Sequence, residues 1–143
     1  MGKDLQQSLS NFSDKISDAV KSKKSILVTT HIDCDGITSG SIISKALMRE
    51  NANYTVRTTN EFSQNLIQNL KKENKGLHII TDLGGGFGKD LDQNLGDNWM
   101  VLDHHEISDE EGRSFEKRLG KWVIEIIQRQ MDKHAAADRN INT

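Results

Sequence analysis

Four short runs rich in apolar and β-branched residues recur along the chain: ILVTT (26–30), YTVRTT (54–59), LHIIT (77–81) and WMVLD (99–103). Most of the intervals between and around them carry the spacing of a helix. Residues 3–22 place Leu5, Leu9, Phe12, Ile16, Ala19 and Val20 at steps of three and four, the stripe of an amphipathic helix. Lys21 to Lys24 close it with the positive charge that a helix C-terminus favours. Residues 37–50 predict a second helix with Ile42, Ile43, Ala46 and Leu47 inward, and 61–74 a third with Phe62, Leu66 and Leu70 on one side. Residues 114–134 predict a last one around Leu119, Trp122, Val123, Ile126 and Ile127. Strands alternating with helices at this spacing predict an α/β fold, a doubly wound and mainly parallel sheet with helices on both faces.

At 143 residues the chain is long enough for one core. The expected layout is a single domain over 1–143, with an N-terminal helix in 1–24, an α/β core in 25–105, and a C-terminal helix and tail in 106–143. The final AAADRNINT reads as a fraying end. No second, substrate-binding domain is expected.

The formal net charge of −2 gives no bulk attraction to nucleic acid, so such binding would need a local patch. The lysine and arginine clusters at 21–24, 71–75 and 117–121 read as solvated faces rather than as a nucleic-acid track. The apolar runs are too short to span a membrane, and the N-terminus lacks a leader pattern. The single cysteine, Cys34, excludes an internal disulfide and suits a reducing, cytoplasmic setting. Cys34 itself reads as a small buried packing residue, and His78 and His134 as bystanders.

Chemistry collects after the strands. The first run ends in His31, Asp33 and Asp35, the third in Asp82, and the fourth in Asp103, His104 and His105. In an open parallel sheet, ligands bind outside the carboxyl ends of the strands, so three strand ends deliver acids and imidazoles to one rim. Singly, each has a plainer reading: Asp35 as the cap of the helix at 37, the histidine pair as surface residues. Together they predict a mixed carboxylate–imidazole site, which suits Mn²⁺, Fe²⁺, Co²⁺ or Zn²⁺ better than Ca²⁺. The count exceeds the need of one ion, and a carboxylate such as Asp82 can bridge two. Paired metals about 3.5–4 Å apart are a common device for in-line attack on phosphorus.

The glycine run Gly84-Gly85-Gly86-Phe87-Gly88-Lys89 is not a nucleotide P-loop, because Leu83 and Asp90 stand where that motif needs glycine and a hydroxyl residue. It reads either as a tight turn or as a flexible loop whose amides approach a phosphate, with Gly84, Gly85 and Gly86 as the binding residues.

In order, HIDCDG, TDLGGG and LDHH resemble the motifs of the DHH phosphoesterase superfamily, specifically its RecJ-like exonuclease branch of archaeal type. The likeness covers about residues 25–105, the N-terminal catalytic part of such proteins. It implies two divalent ions, Mn²⁺ foremost or Mg²⁺, and hydrolysis of phosphodiester bonds in single-stranded DNA or RNA or in short oligonucleotides. By this resemblance His31 and Asp33 hold one metal, Asp35 and His104 the other, and Asp82 bridges. His105 faces the scissile phosphate as a catalytic residue, and Asp103 orients the histidines.

The chain departs from the pattern after the third motif. Family members supply a further acid to the second metal well downstream, followed by a substrate-gripping domain. Only 38 residues follow His105 here, and Asp109, Asp132 and Asp138 carry no matching motif. Two alternatives follow: a silent or partner-completed scaffold subunit of a replication or repair complex, and a hydrolase of nanoRNA, cyclic dinucleotides or phosphoadenosine. A replication or repair protein, or a second copy of the chain, is the expected protein partner.

Overall fold

Burial on both sides explains why the first and third runs read as continuous rather than alternating. In the computed structural model, which describes residues 3–103 and 105, the order is α1 (Lys3–Lys21), β1 (Ile26–His31), α2 (Cys34–Arg49), β2 (Tyr54–Thr59), α3 (Gln64–Glu73), β3 (Leu77–Thr81), α4 (Gly88–Leu95) and β4 (Trp99–Leu102). A short 3₁₀ turn, Gly85–Phe87, leads into α4. All strand pairs are parallel, in the order β2-β1-β3-β4. This is the doubly wound α/β class that the sequence predicts.

Two apolar layers sandwich the sheet. Ile26, Val28, Leu77, Ile79 and Met100 meet Ala19 of α1 and Leu47 of α2 on one face. Leu27 and Ile80 meet Ile67 and Leu70 of α3 and Leu91 of α4 on the other. Each of the larger side chains, Val, Leu, Ile or Met, contributes when fully buried about 1.5–3 kcal/mol relative to exposure. The connection after β1 therefore leaves toward the α1/α2 face, and the connection after the adjacent β3 leaves toward the α3/α4 face. Strands whose exits diverge in this way open a crevice at their carboxyl ends.

Local details differ from expectation in physically informative ways. Helix α2 starts at Cys34, three residues early, because Asp33 and not Asp35 is its cap; the Asp33 side chain accepts from Gly36 N. That start swings Cys34 onto the exposed side of the first turn, so it is not a packing residue. Ala46 is exposed, while Leu47 carries the helix's deepest contact. The loop expected around the glycines shrinks to the 3₁₀ turn, and α4 follows at once, with Leu91 fully buried and Phe87 and Leu95 packed beside it. The expected C-terminal helix at 114–134, the tail, His104, Asp109, Asp132, His134 and Asp138 lie outside the described residues. Among the described residues no helix is long and apolar enough to cross a membrane.

Candidate metal centre

The crevice between β1 and β3 is built by three short-range devices. The first is a close helix approach. A Cβ on Gly36 would stand 2.2 Å from the carbonyl oxygen of His31, so only glycine lets α2 begin this near the end of β1. The Asp33 carboxylate is thereby turned back over the strand end, with Oδ1 accepting from Gly36 N at 2.9 Å and Oδ2 at 2.8 Å from His31 Nδ1.

The second device is backbone strain. Asp82 leaves β3 at a φ of +62°, in the left-handed region that non-glycine residues seldom adopt but that aspartate tolerates better than most. Its backbone N–H donates to Leu102 O at 2.8 Å, and the residue is only 4% exposed. This kink directs the carboxylate to 3.7 Å from His31 Nδ1.

The third is Asp103, also buried. Its Oδ2 accepts from Gly85 N at 3.1 Å, and its Oδ1 accepts from His105 N and lies 2.6 Å from His105 Nδ1. The Asp103 hydrogen bond raises the His105 pKa above the usual value, helped by the negative charge of Asp103, Asp82 and Asp33 and opposed by partial burial. For Asp33 the hydrogen bond from Gly36 N is the main cause of a lowered pKa, with Asp82 and His31 adding to it against desolvation.

Two overlapping groups result: His31, Asp33 and Asp82, and Asp82, Asp103 and His105, the ligand atoms of each lying within 4.8 Å of one another. Asp82 is common to both. Asp35 points from the exposed first turn of α2 and belongs to neither group. Gly84, Gly85 and Gly86 adjoin the rim, but the Gly85 amide is committed to Asp103 rather than held open for an anion. Gly84 adopts a φ of +90°, where a side chain would be strained and would press on Ile80 and Phe62.

One contact had no sequence signal, because a backbone oxygen makes it: Asn60 O lies 3.1 Å from His31 Nε2. A carbonyl only accepts, so Nε2 carries the proton of this ring. A neutral His31 then aims the Nδ1 lone pair at two carboxylates. That arrangement is repulsive unless a positive charge lies between them, a second proton or a cation. Three carboxylates and the His31 lone pair so disposed fit a divalent ion of the Mn²⁺, Fe²⁺ or Zn²⁺ kind, with the His105 ring held beside them by Asp103.

No family model matches the chain. An uncharacterised protein of Methanocaldococcus jannaschii is 36% identical over 100 residues, covering 64% of this chain and 23% of that protein. Among solved structures, RecJ in complex with Mn²⁺ from Thermus thermophilus superposes with a TM-score of 0.58 at 21% identity, over 75% of this chain and 15% of that one. Exonuclease RecJ bound to manganese gives 0.57 at 22%, over 65% and 26%. CDC45 from Entamoeba histolytica gives 0.56 at 19%, over 73% and 22%. The chain thus spans about a quarter or less of each of these proteins. The fold is RecJ-like.

Proposed function

We propose that the chain is the catalytic part of a RecJ-like phosphoesterase that hydrolyses phosphodiester bonds in single-stranded nucleic acid or short oligonucleotides. The observation that carries this reading is the sharing of Asp82 between two ligand groups. A bridging carboxylate is what a paired-ion site requires. His31 and Asp33 complete the first group. Asp103 and His105 flank the second, to which motif likeness would add Asp35 and His104. Mn²⁺ is the favoured ion, in keeping with the manganese-bound RecJ structures of the same fold, and Mg²⁺ is the alternative.

A pair of divalent ions held there supplies neutralisation of phosphate charge and acidifies water near neutral pH. The chain's own groups do the rest. Asp33, held ionised by Gly36 N, offers a carboxylate without needing to lose a proton on binding. Asp103 holds the His105 ring and raises its pKa, which keeps a proton on the imidazole for a phosphate oxygen or a leaving group. Thr81 and Asp82 are closed to solvent, whereas Asp33 and His105 stand about half exposed, so the low dielectric acts chiefly at Asp82.

A scaffold role in a replication or repair complex is the second reading, favoured by the comparable likeness to CDC45. Retention of all three acid- and histidine-bearing strand ends favours chemistry over it. The test is hydrolysis of 5′-labelled single-stranded DNA, RNA and dinucleotides with Mn²⁺. The expected result is cleavage by the wild type, abolished by chelator and reduced at least about a thousandfold in Asp82→Asn, since several kcal/mol of charge stabilisation would go with that group. Equal rates for the wild type and Asp82→Asn would remove the reading; no cleavage of any substrate would transfer it to the scaffold.

A further inference from the structure

Beneath the charged rim lies a layer of buried hydroxyls. On the face toward α2, β1 presents Ile26, Val28 and Thr30, and β3 presents Leu77, Ile79 and Thr81. Each set is apolar until its last member. Thr30 and Thr81 are register partners, 1% and 0% exposed, and each immediately precedes a rim residue, His31 or Asp82. Thr81 Oγ1 donates to Thr30 Oγ1 at 3.0 Å, and Thr30 Oγ1 donates to the carbonyl of Gly36. Ser39 Oγ of α2 is 3.2 Å from Thr81 Oγ1 and 3.1 Å from Gly36 O.

With one proton per hydroxyl, the set closes as a directed chain, Ser39 to Thr81 to Thr30 to the Gly36 carbonyl. Such chains polarise in one direction and strengthen in a dry interior. Valine at both strand positions would fill similar volume with no polar group to satisfy, as the layers below do. On this face of β1 and β3 the hydroxyls stand only at the level that borders the rim. They join the three elements that carry His31, Asp33 and Asp82, and they grip α2 at Gly36, the residue whose N–H holds the Asp33 carboxylate.

We infer that Thr30, Thr81 and Ser39 are positioning residues. Their hydroxyl chain sets the distance of the α2 N-terminus from the ends of β1 and β3, and so tunes the cation affinity of the His31–Asp33–Asp82 group. This rests on the rim being a cation site. A purely structural role would alter stability and leave the affinity of the folded protein untouched.

The experiment is calorimetric titration of the full chain with MnCl₂, paired with thermal unfolding in the absence of metal. Thr81→Val is expected to weaken Mn²⁺ binding about 10–100-fold, the range typical of groups that orient metal ligands. Thr81→Ser, which keeps the hydroxyl, is expected to restore near wild-type affinity. Ser39→Ala, at the half-buried end, is expected to weaken binding about tenfold, and it carries the test if Thr81→Val does not fold. Asp82→Asn is the control that abolishes binding. Wild-type affinity in both Thr81→Val and Ser39→Ala, with Asp82→Asn inactive in binding, overturns the positioning role alone. No binding by the wild type removes the cation site, and the inference with it.

Discussion

The Asp82 carboxylate lies 3.7 Å from His31 Nδ1 across neighbouring strands, and its ligand atom is also within 4.8 Å of those of Asp103 and His105. Without a cation this concentrates negative charge around a buried acid at a left-handed backbone position. Such strain persists only where the surrounding structure over-determines it, and it gathers at functional sites.

Asp82→Asn should therefore act with opposite signs on two measurements. Asparagine accepts the same backbone conformation and removes one charge from the cluster, so the metal-free melting temperature should hold or rise. The rise expected when Mn²⁺ binds the native wild type should be absent in the variant. Differential scanning fluorimetry with and without Mn²⁺ reads both; a full Mn²⁺ shift in the variant contradicts the account.

Gly36→Ala should be costly, because its Cβ would meet backbone atoms of His31 at 2.2 Å and the strand end has no flexible side chain to yield. A loss of about 1–3 kcal/mol or more is expected, as for overpacking, with weaker Mn²⁺ binding as Asp33 is pushed outward. Urea unfolding measures the first part. A neutral effect would mean that α2 can start farther from β1.

Asp103→Asn should return the His105 pKa toward its ordinary value, since the Asp103 hydrogen bond is the largest cause of its rise. NMR titration of the His105 ring in metal-free protein reads this directly. An unchanged titration would assign the rise to the surrounding charge instead.

Much of this was legible in the sequence because a parallel sheet puts every strand's carboxyl end on one edge. Strands buried on both faces announce themselves as apolar runs, so locating ILVTT, LHIIT and WMVLD also located His31, Asp33, Asp82, Asp103 and His105. Helix α4 was not legible, since its apolar positions are only Leu91 and Leu95, after Phe87 and glycines that argue for a turn. The start of α2 was ambiguous because Asp33 and Asp35 are both competent caps; the close approach at Gly36, a tertiary fact, decides for Asp33. The hydroxyl chain was hidden because threonine at a strand end reads as an ordinary β-former.

Acid should destabilise the protein through His78, far from the rim. It is 1% exposed, and burial is the main cause of its lowered pKa, with Lys75 and Arg57 adding to it and Glu73 opposing. Above about pH 6.5, the ordinary histidine value, neither the folded nor the unfolded state protonates this ring. As pH falls below that, the unfolded chain takes the proton first and stability drops, by at most about 1.4 kcal/mol per pH unit for one group. His105 works in the other window: its raised pKa gives stability that is present below about pH 6.5 and lost as pH rises through the folded value. His78→Leu should flatten the acid limb of urea-unfolding stability between about pH 6.5 and 5; an unaltered slope would point to other groups.

Anomalous scattering at the manganese edge from Mn²⁺-soaked crystals would locate any cations held at Asp82. Two peaks should flank the Asp82 carboxylate, one on the His31–Asp33 side and one on the Asp103–His105 side. No peak within coordination distance of Asp82 would contradict the paired-ion site.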